Sequence, residues 1–259
     1  MNHNFCMNHN EVLTCALDIG ENMLKSGAEV YRVEDCIRRI CCAYGAVSVD
    51  VFSITSSILL TIEFPGEGRI SQTRRIETFV TDLDRVDSLN QLSRRMCAEK
   101  ISFSEFDEAF KKIMAKKRYS FFSELATFAL IAAAFTIFFG GSWQDALISA
   151  MIGMVLKTTV CLTSIVNFNR VLSNLIASFV MSLLAFFAVT LGLAESVEMI
   201  VIGNIMLLIP GVLLTNSLRD MISGDTMTGI LRFAEAIILS LAIAGGYILA
   251  FYAIGGGLA

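Results

Sequence analysis

Histidine and proline are scarce in this 259-residue chain, with two of each, and tryptophan occurs once. The two histidines, His3 and His9, lie in a repeated Met-Asn-His-Asn stretch, too few and too loosely placed for a metal site. H-E-x-x-H, G-x-S-x-G, C-x-x-C and a Walker-type loop are all missing, which removes the common signatures of zinc proteases, serine hydrolases, thiol redox centres and P-loop NTPases. No metal or cofactor is expected. Lys and Arg are almost absent from the second half: four of the 20 follow Ser120. With a pI of about 5.3 and the one basic run set against an apolar segment, nucleic acid is not an expected partner. The start, Met1 to Asn10, lacks the basic-then-apolar pattern of a secretory leader and reads as a disordered tail. Six of the seven cysteines fall before residue 100, as expected of reduced thiols in a cytoplasmic domain.

Long apolar runs are what the second half has. A membrane core of ~30 Å takes about 20 residues of helix. Five stretches qualify: Phe121–Phe139, Trp143–Val160, Val171–Leu191, Val197–Leu214 and Phe233–Ile254. The expected fold is therefore an α-helical integral membrane protein, with five transmembrane helices over 119–259 behind a cytoplasmic α+β domain over 11–118. Lys111, Lys112, Lys116, Lys117 and Arg118 precede the first run. Lys157 and Arg170 lie near the connector after the second, and Arg219 and Arg232 flank the one after the fourth. The other connectors carry only acidic residues, so the basic side is cytoplasmic, the N-terminus inside and the C-terminus outside, with no charged side chain in Gly255-Gly256-Gly257. An odd number of spans would invert any second, related half joined to this one, as in many secondary transporters.

In the polar domain, Leu13, Leu17, Leu24, Tyr31, Ile37, Ile40 and Tyr44 recur at helical spacing, predicting one long or once-broken helix over Glu11–Tyr44, weakened at Gly20 and Gly27. Strands are expected at Val47–Val51, Ile58–Phe64 and Ile70–Val80, with a hairpin turn at Pro65-Gly66-Glu67-Gly68. A helix over Asp82–Lys100 should bury Leu83, Val86, Leu89, Leu92 and Met96, and Ser104 with Asp107 should cap the next. Glu29, Arg32, Glu34 and Asp35 form a dense charged patch, read either as a solvated helix face or as a docking surface.

The sharpest functional pattern is Pro210-Gly211-x3-Thr215-Asn216-x2-Arg219-Asp220-x4-Asp225. Pro210 interrupts a helix and frees a carbonyl near Met206. Thr215 with Arg219 and Asn216 with Asp220 are four apart, giving one polar face if the helix resumes. These residues are candidates for a substrate path or gate, or else solvated charges of the headgroup region; Asn204 adds a polar group deeper in the run. Glu124 and Asp220 are candidates for proton coupling, with a membrane-anchoring role the alternative for Glu124. Lys157, ~21 Å along its helix, is placed to snorkel to the interface.

The run Gly27-Ala28-Glu29-Val30-Tyr31-Arg32-Val33-Glu34-Asp35, continuing through Arg38-Arg39-Ile40 and Ala43-Tyr44-Gly45, resembles the N-terminal signature of the threonine/serine exporter family. Asp82-Leu83-x2-Val86-x2-Leu89-Asn90-x-Leu92 and the Pro210–Gly229 stretch fit the same pattern. The resemblance implies secondary transport, in the bacterial inner membrane, exporting small amino acids or small carboxylates. It also implies the larger subunit of the family's split form, partnered by a smaller membrane subunit, since single-chain members carry a second membrane half. A homo-oligomer, a ligand-sensing regulatory subunit and a membrane-tethered enzyme with chemistry in residues 11–118 are the competing expectations.

Overall fold

A computed structural model of the chain describes residues 7–66, 68–77, 79–116 and 119–254. The expectations for His3, Cys6, Glu67, Lys117, Arg118 and the glycine tail lie outside those residues. The chain divides into two compact units, one of Met1–Lys117 with Val212–Phe233, the other of Arg118–Gly211 with Ala234–Ala259.

In the first unit the amphipathic stretch is broken once, giving α1 (His9–Lys25) and α2 (Val30–Ala43). The break falls at Gly27, whose φ of 92° a side chain would oppose, and Gly20 stays helical. Gly27 N–H donates to the Leu24 carbonyl and Ala28 N–H to the Met23 carbonyl, the paired bonds of a Schellman stop. Part of the segment expected as a tail is structured: Asn8 caps α1 with Glu11 in a capping box, and His9 stacks on Phe64 with ring centroids 3.9 Å apart.

Strands β1 (Ser48–Ile54), β2 (Ser57–Glu63) and β3 (Arg69–Arg75) form an antiparallel sheet in sequence order, with Val51 opposite Leu60 and Ile62 opposite Ile70. Alternation on β2 buries Ile58, Leu60 and Ile62 in a core shared with α1 and α2. β3 ends at Arg75, short of the expected Val80. Asp82 caps α3 (Leu83–Glu99), which buries Val86, Leu89, Leu92 and Met96 as expected but exposes Leu83, at the helix's first turn. Helix α4 (Phe103–Met114) is capped by Ser102 with Glu105, not by the expected Ser104 and Asp107; Asp107 instead pairs with Lys111. Tyr31 is exposed on α2. Burial pushes the Cys15 and Cys41 thiols up to about 12, so both stay protonated members of the core.

The second unit holds α5 (Phe121–Phe138), α6 (Trp143–Ile165), α7 (Arg170–Thr190), α8 (Val197–Ile205) and the larger part of α10 (Thr226–Ala253). Four helices, α5, α6, α7 and α10, are long and apolar enough to cross a membrane. The run expected as a fourth span, Val197–Leu214, is not one helix: α8 has nine residues and α9 (Gly211–Ile222) starts afresh. The interruption begins before Pro210. Leu207 N–H turns to the Asn204 carbonyl and Leu208 N–H to the Ile205 carbonyl, tightening the last turn into 3₁₀ geometry.

Small side chains bring these helices together. Ala177, Ser178, Met181, Ser182 and Ala185 form the buried face of α7, where Ser178 Oγ donates to the Ile243 carbonyl at 2.6 Å. α8 lies so close to α5 that a Cβ on Gly203 would stand 2.1 Å from Thr136 Oγ1 and 2.9 Å from its backbone nitrogen. Gly203→Ala is therefore expected to cost about 1–3 kcal/mol, read as a lowered unfolding midpoint in detergent. Gly245→Ala, at a position with nothing within 4 Å, should not lower it. Equal midpoints for the two variants would contradict this packing.

Candidate functional site

The Schellman stop after α1 leaves a short bend, Ser26–Glu29, leading into α2. Helix α2 begins without a local cap: Glu29 stands at the N-cap position and makes no side-chain bond to the first turn. An uncapped helix start presents N–H donors and a partial positive charge. Asp220, on α9, answers both. Its Oδ1 accepts from Val30 N–H at 3.3 Å, and its Oδ2 accepts from Arg232 Nη1 at 2.8 Å. Arg232 also donates through Nη2 to the Ala28 carbonyl at 3.1 Å, and Asn216 Nδ2 donates to the Gly27 carbonyl at 3.0 Å. Arg219 completes the contact with an ion pair to Glu29.

Local structure explains how residues so far apart in sequence meet. Asn216 and Asp220 are one helical turn apart on α9 and share a face, as their spacing predicted. Helix α9 ends in a second Schellman stop, with Gly224 N–H on the Met221 carbonyl and Asp225 N–H on the Asp220 carbonyl. That turn sends α10 back past α9 and delivers Arg232 to Asp220. Both charges are almost fully buried, with side chains 1% and 4% exposed. Burial pushes the Asp220 carboxyl up, while the Arg232 guanidinium pulls it back down. Asp225, half-buried beyond the turn, is also pushed up by burial. The opposite side of α9 is apolar and exposed, with Leu214, Leu218 and Ile222 in an i, i+4 row.

The expected docking patch is divided by the structure. Glu29 faces Arg219, whereas Glu34 accepts from the Ser53 backbone N–H at 2.7 Å and is pushed up by burial. Arg32 and Asp35 face a cleft between α2 and α3 instead. Pro210 ends the interruption, Gly211 opens α9, and Thr215 lies one turn before Arg219. In the second unit Glu124 is not a lone carboxylate: Lys157 Nζ lies 2.5 Å from its Oε2 and 5.2 Å from the centre of the Phe128 ring. Lys157 is thus held by the Glu124 carboxylate and the Phe128 ring.

Two features escape a reading of the sequence, and of a third, the cluster around Asn204, only that one polar residue was expected. The carbonyls of Gly27 and Ala28 act as acceptors, and backbone groups leave no side-chain signature. Asp145 is 1% exposed and holds the Glu195 and Ser196 N–H groups on its Oδ1 while capping Ser142. Only the Ser142-x-x-Asp145 capping box could have drawn attention to it. Asn204 belongs to a buried polar cluster with Thr136 and Ser149. Ser149 Oγ accepts from Thr136 Oγ1 at 2.7 Å and from Asn204 Nδ2 at 2.8 Å. The second amide hydrogen goes to the Ile200 carbonyl, which fixes the side chain's orientation and leaves Oδ1 buried without a partner among the described residues.

Compared with known proteins, residues 14–254 match the family model ThrE, "Putative threonine/serine exporter". The "Threonine/serine exporter" of Corynebacterium glutamicum is 23% identical over 242 residues, covering 91% of this chain and 50% of that protein. The "Probable threonine/serine exporter" of Mycobacterium tuberculosis is 22% identical over 253 residues, covering 92% and 45%. The "Probable succinate transporter subunit YjjP" of Klebsiella aerogenes is 24% identical over 239 residues, covering 92% and 90%. The chain thus spans about half the length of the two exporters. No solved structure matches it.

The buried pair and the exposed pair should respond differently to truncation. Asp220→Ala and Arg232→Ala each strand a buried charge and are expected to cost about 3–5 kcal/mol. Arg219→Ala breaks a pair whose arginine is 57% exposed and should cost under about 1 kcal/mol. Denaturant titration of the purified protein in detergent measures all three. A cost at Arg219 matching that at Asp220 would show that the exposed pair, not the buried one, carries the contact.

Proposed function

The chain belongs to the threonine/serine exporter family, and on that premise we propose that it is the larger subunit of a two-part secondary exporter of small amino acids or small carboxylates. The observation that carries this reading is the family match over nearly the whole chain, joined to its coverage of relatives. It spans 90% of a transporter subunit and only about half of two exporters. A smaller membrane subunit would supply the remainder of the path.

The proposed topology has five crossings in the bacterial inner membrane, with the N-terminal domain in the cytoplasm and the C-terminus outside. Helices α5, α6 and α7 would carry the chain across three times and leave Thr190 on the far side. The packing of α9 on the N-terminal domain supports a return of the chain between 191 and 211. Nine residues of α8 extend only about 14 Å, so the fourth crossing is a short helix continued by non-helical backbone. Such backbone is tolerated at membrane depth where it lines a cavity or is buried in protein. We place substrate there, against the carbonyls freed between Gly203 and Pro210 and the unpartnered Oδ1 of Asn204.

The segment from Pro210 to Asp225 then works as a gate. Pro210 and Gly211 are the hinge, Asn216, Arg219 and Asp220 hold the cytoplasmic side, and Thr215 and Asp225 border the path. Asp220 is committed to Arg232 and Val30, which leaves Glu124, in exchangeable contact with Lys157, as the carboxylate for proton coupling. Membrane lipid covers the exposed apolar faces, and no enzymatic step is assigned to the chain.

The test is export of labelled threonine and labelled succinate from cells lacking their own exporters, supplied with this chain alone or with a small membrane subunit of the same family. Export only when both chains are present is expected, with loss in Glu124→Gln at unchanged membrane abundance. Export of neither compound by any combination would refute the exporter reading.

A further inference from the structure

We propose that the cleft between α2 and α3 is a binding site for a small dianion, distinct from the transport path. The cleft has a volume of about 460 Å³, within the range of small-molecule sites. Three arginines line it, Arg32 and Arg39 from α2 and Arg94 from α3, against one carboxylate, Asp35. Asp35 is already bound to Arg39 at 2.8 Å. Among the described residues neither Arg32 nor Arg94 has an ion-pair partner. In a chain with a net charge of −4, two unneutralised guanidinium groups facing one depression are a local reversal of sign.

The floor suits an anion as well as the walls do. Its residues are small, with Cys36 and Ser93 6% and 5% exposed, so the arginines flank a hollow rather than project from a convex face. Ser93 Oγ is turned to the Asn90 carbonyl, and the Asn90 side-chain amide is left as a neutral donor at the cleft. Guanidinium groups bind carboxylate and phosphate oxygens through paired N–H bonds, and two of them from opposite helices match two carboxylates or one doubly charged phosphate. The cleft is carried by the helix whose first N–H is held by Asp220, so its occupant bears on the same element that anchors α9.

The experiment is calorimetric titration of the full-length protein in detergent, at fixed ionic strength, with succinate, inorganic phosphate and, as a monoanion control, acetate. Saturable binding of succinate or phosphate but not acetate is expected, weakened about tenfold by Arg32→Gln or by Arg94→Gln. Arg75→Gln, at an arginine 83% exposed on β3, should leave affinity unchanged. Preference for succinate would identify the dianion as a dicarboxylate, and preference for phosphate as a phosphorylated compound. Absence of saturable binding by either probe would overturn the proposal. So would binding that persists undiminished in the Arg32→Gln/Arg94→Gln double variant, which would place the anion elsewhere in the protein.

Discussion

The contact between Asp220, Arg232 and the start of α2 is the constraint on which the arrangement of the first unit depends. A helix start without its own cap, a bend with two free carbonyls and a buried guanidinium are each unfavourable alone. Together they satisfy one another: the carboxylate takes the Val30 N–H and the guanidinium, and the guanidinium takes the Ala28 carbonyl. Buried ion pairs of this kind contribute little net stability over an apolar replacement, but breaking one is expensive. Its consequence is positional. Residues 212–233, embedded in a sequence that otherwise reads as membrane helix, become part of the N-terminal domain.

That assignment changes the meaning of the apolar run before it. A hydropathy window over Val197–Leu214 sees only composition and cannot register that α8 stops at Ile205 or that α9 belongs to another unit. Pro210 announces an interruption, yet α8 already ends at Ile205, and the Leu207 and Leu208 N–H groups after it turn to nearer carbonyls. α8 is buried among its neighbours through Gly203 and Asn204. A broken element beside a buried amide oxygen that lacks a partner among the described residues is the kind of place where a transporter can bind and release a small polar solute.

Much of this was legible in the residues. Strand β2, the inward face of α3, the interruption at Gly27 and the four long apolar helices follow from period, turn chemistry and length. The shared face of Asn216 and Asp220 followed from their spacing. What covers that face did not: its partners are the Gly27 carbonyl and the Val30 N–H, about 190 positions away, and such pairing leaves no trace in local pattern. The charged patch at 29–35 shows the same limit. Helical spacing placed its residues on one element but could not say that Glu29 meets α9 while Arg32 and Asp35 turn toward α3. Leu83 and Tyr31 fit the apolar period and are nonetheless exposed.

The proposed return of the chain across the membrane between α7 and α9 puts the α9–α10 turn on the same side as the N-terminal domain. An impermeant maleimide applied to sealed vesicles of each orientation tests it, with labelled peptides identified by mass. The native Cys42, exposed on α2, reports the N-terminal domain, and Ser223→Cys, exposed in the turn after α9, reports the segment in question. Both residues are expected to label in the same vesicles, and neither in the other set. Labelling of the two from opposite sides would contradict it.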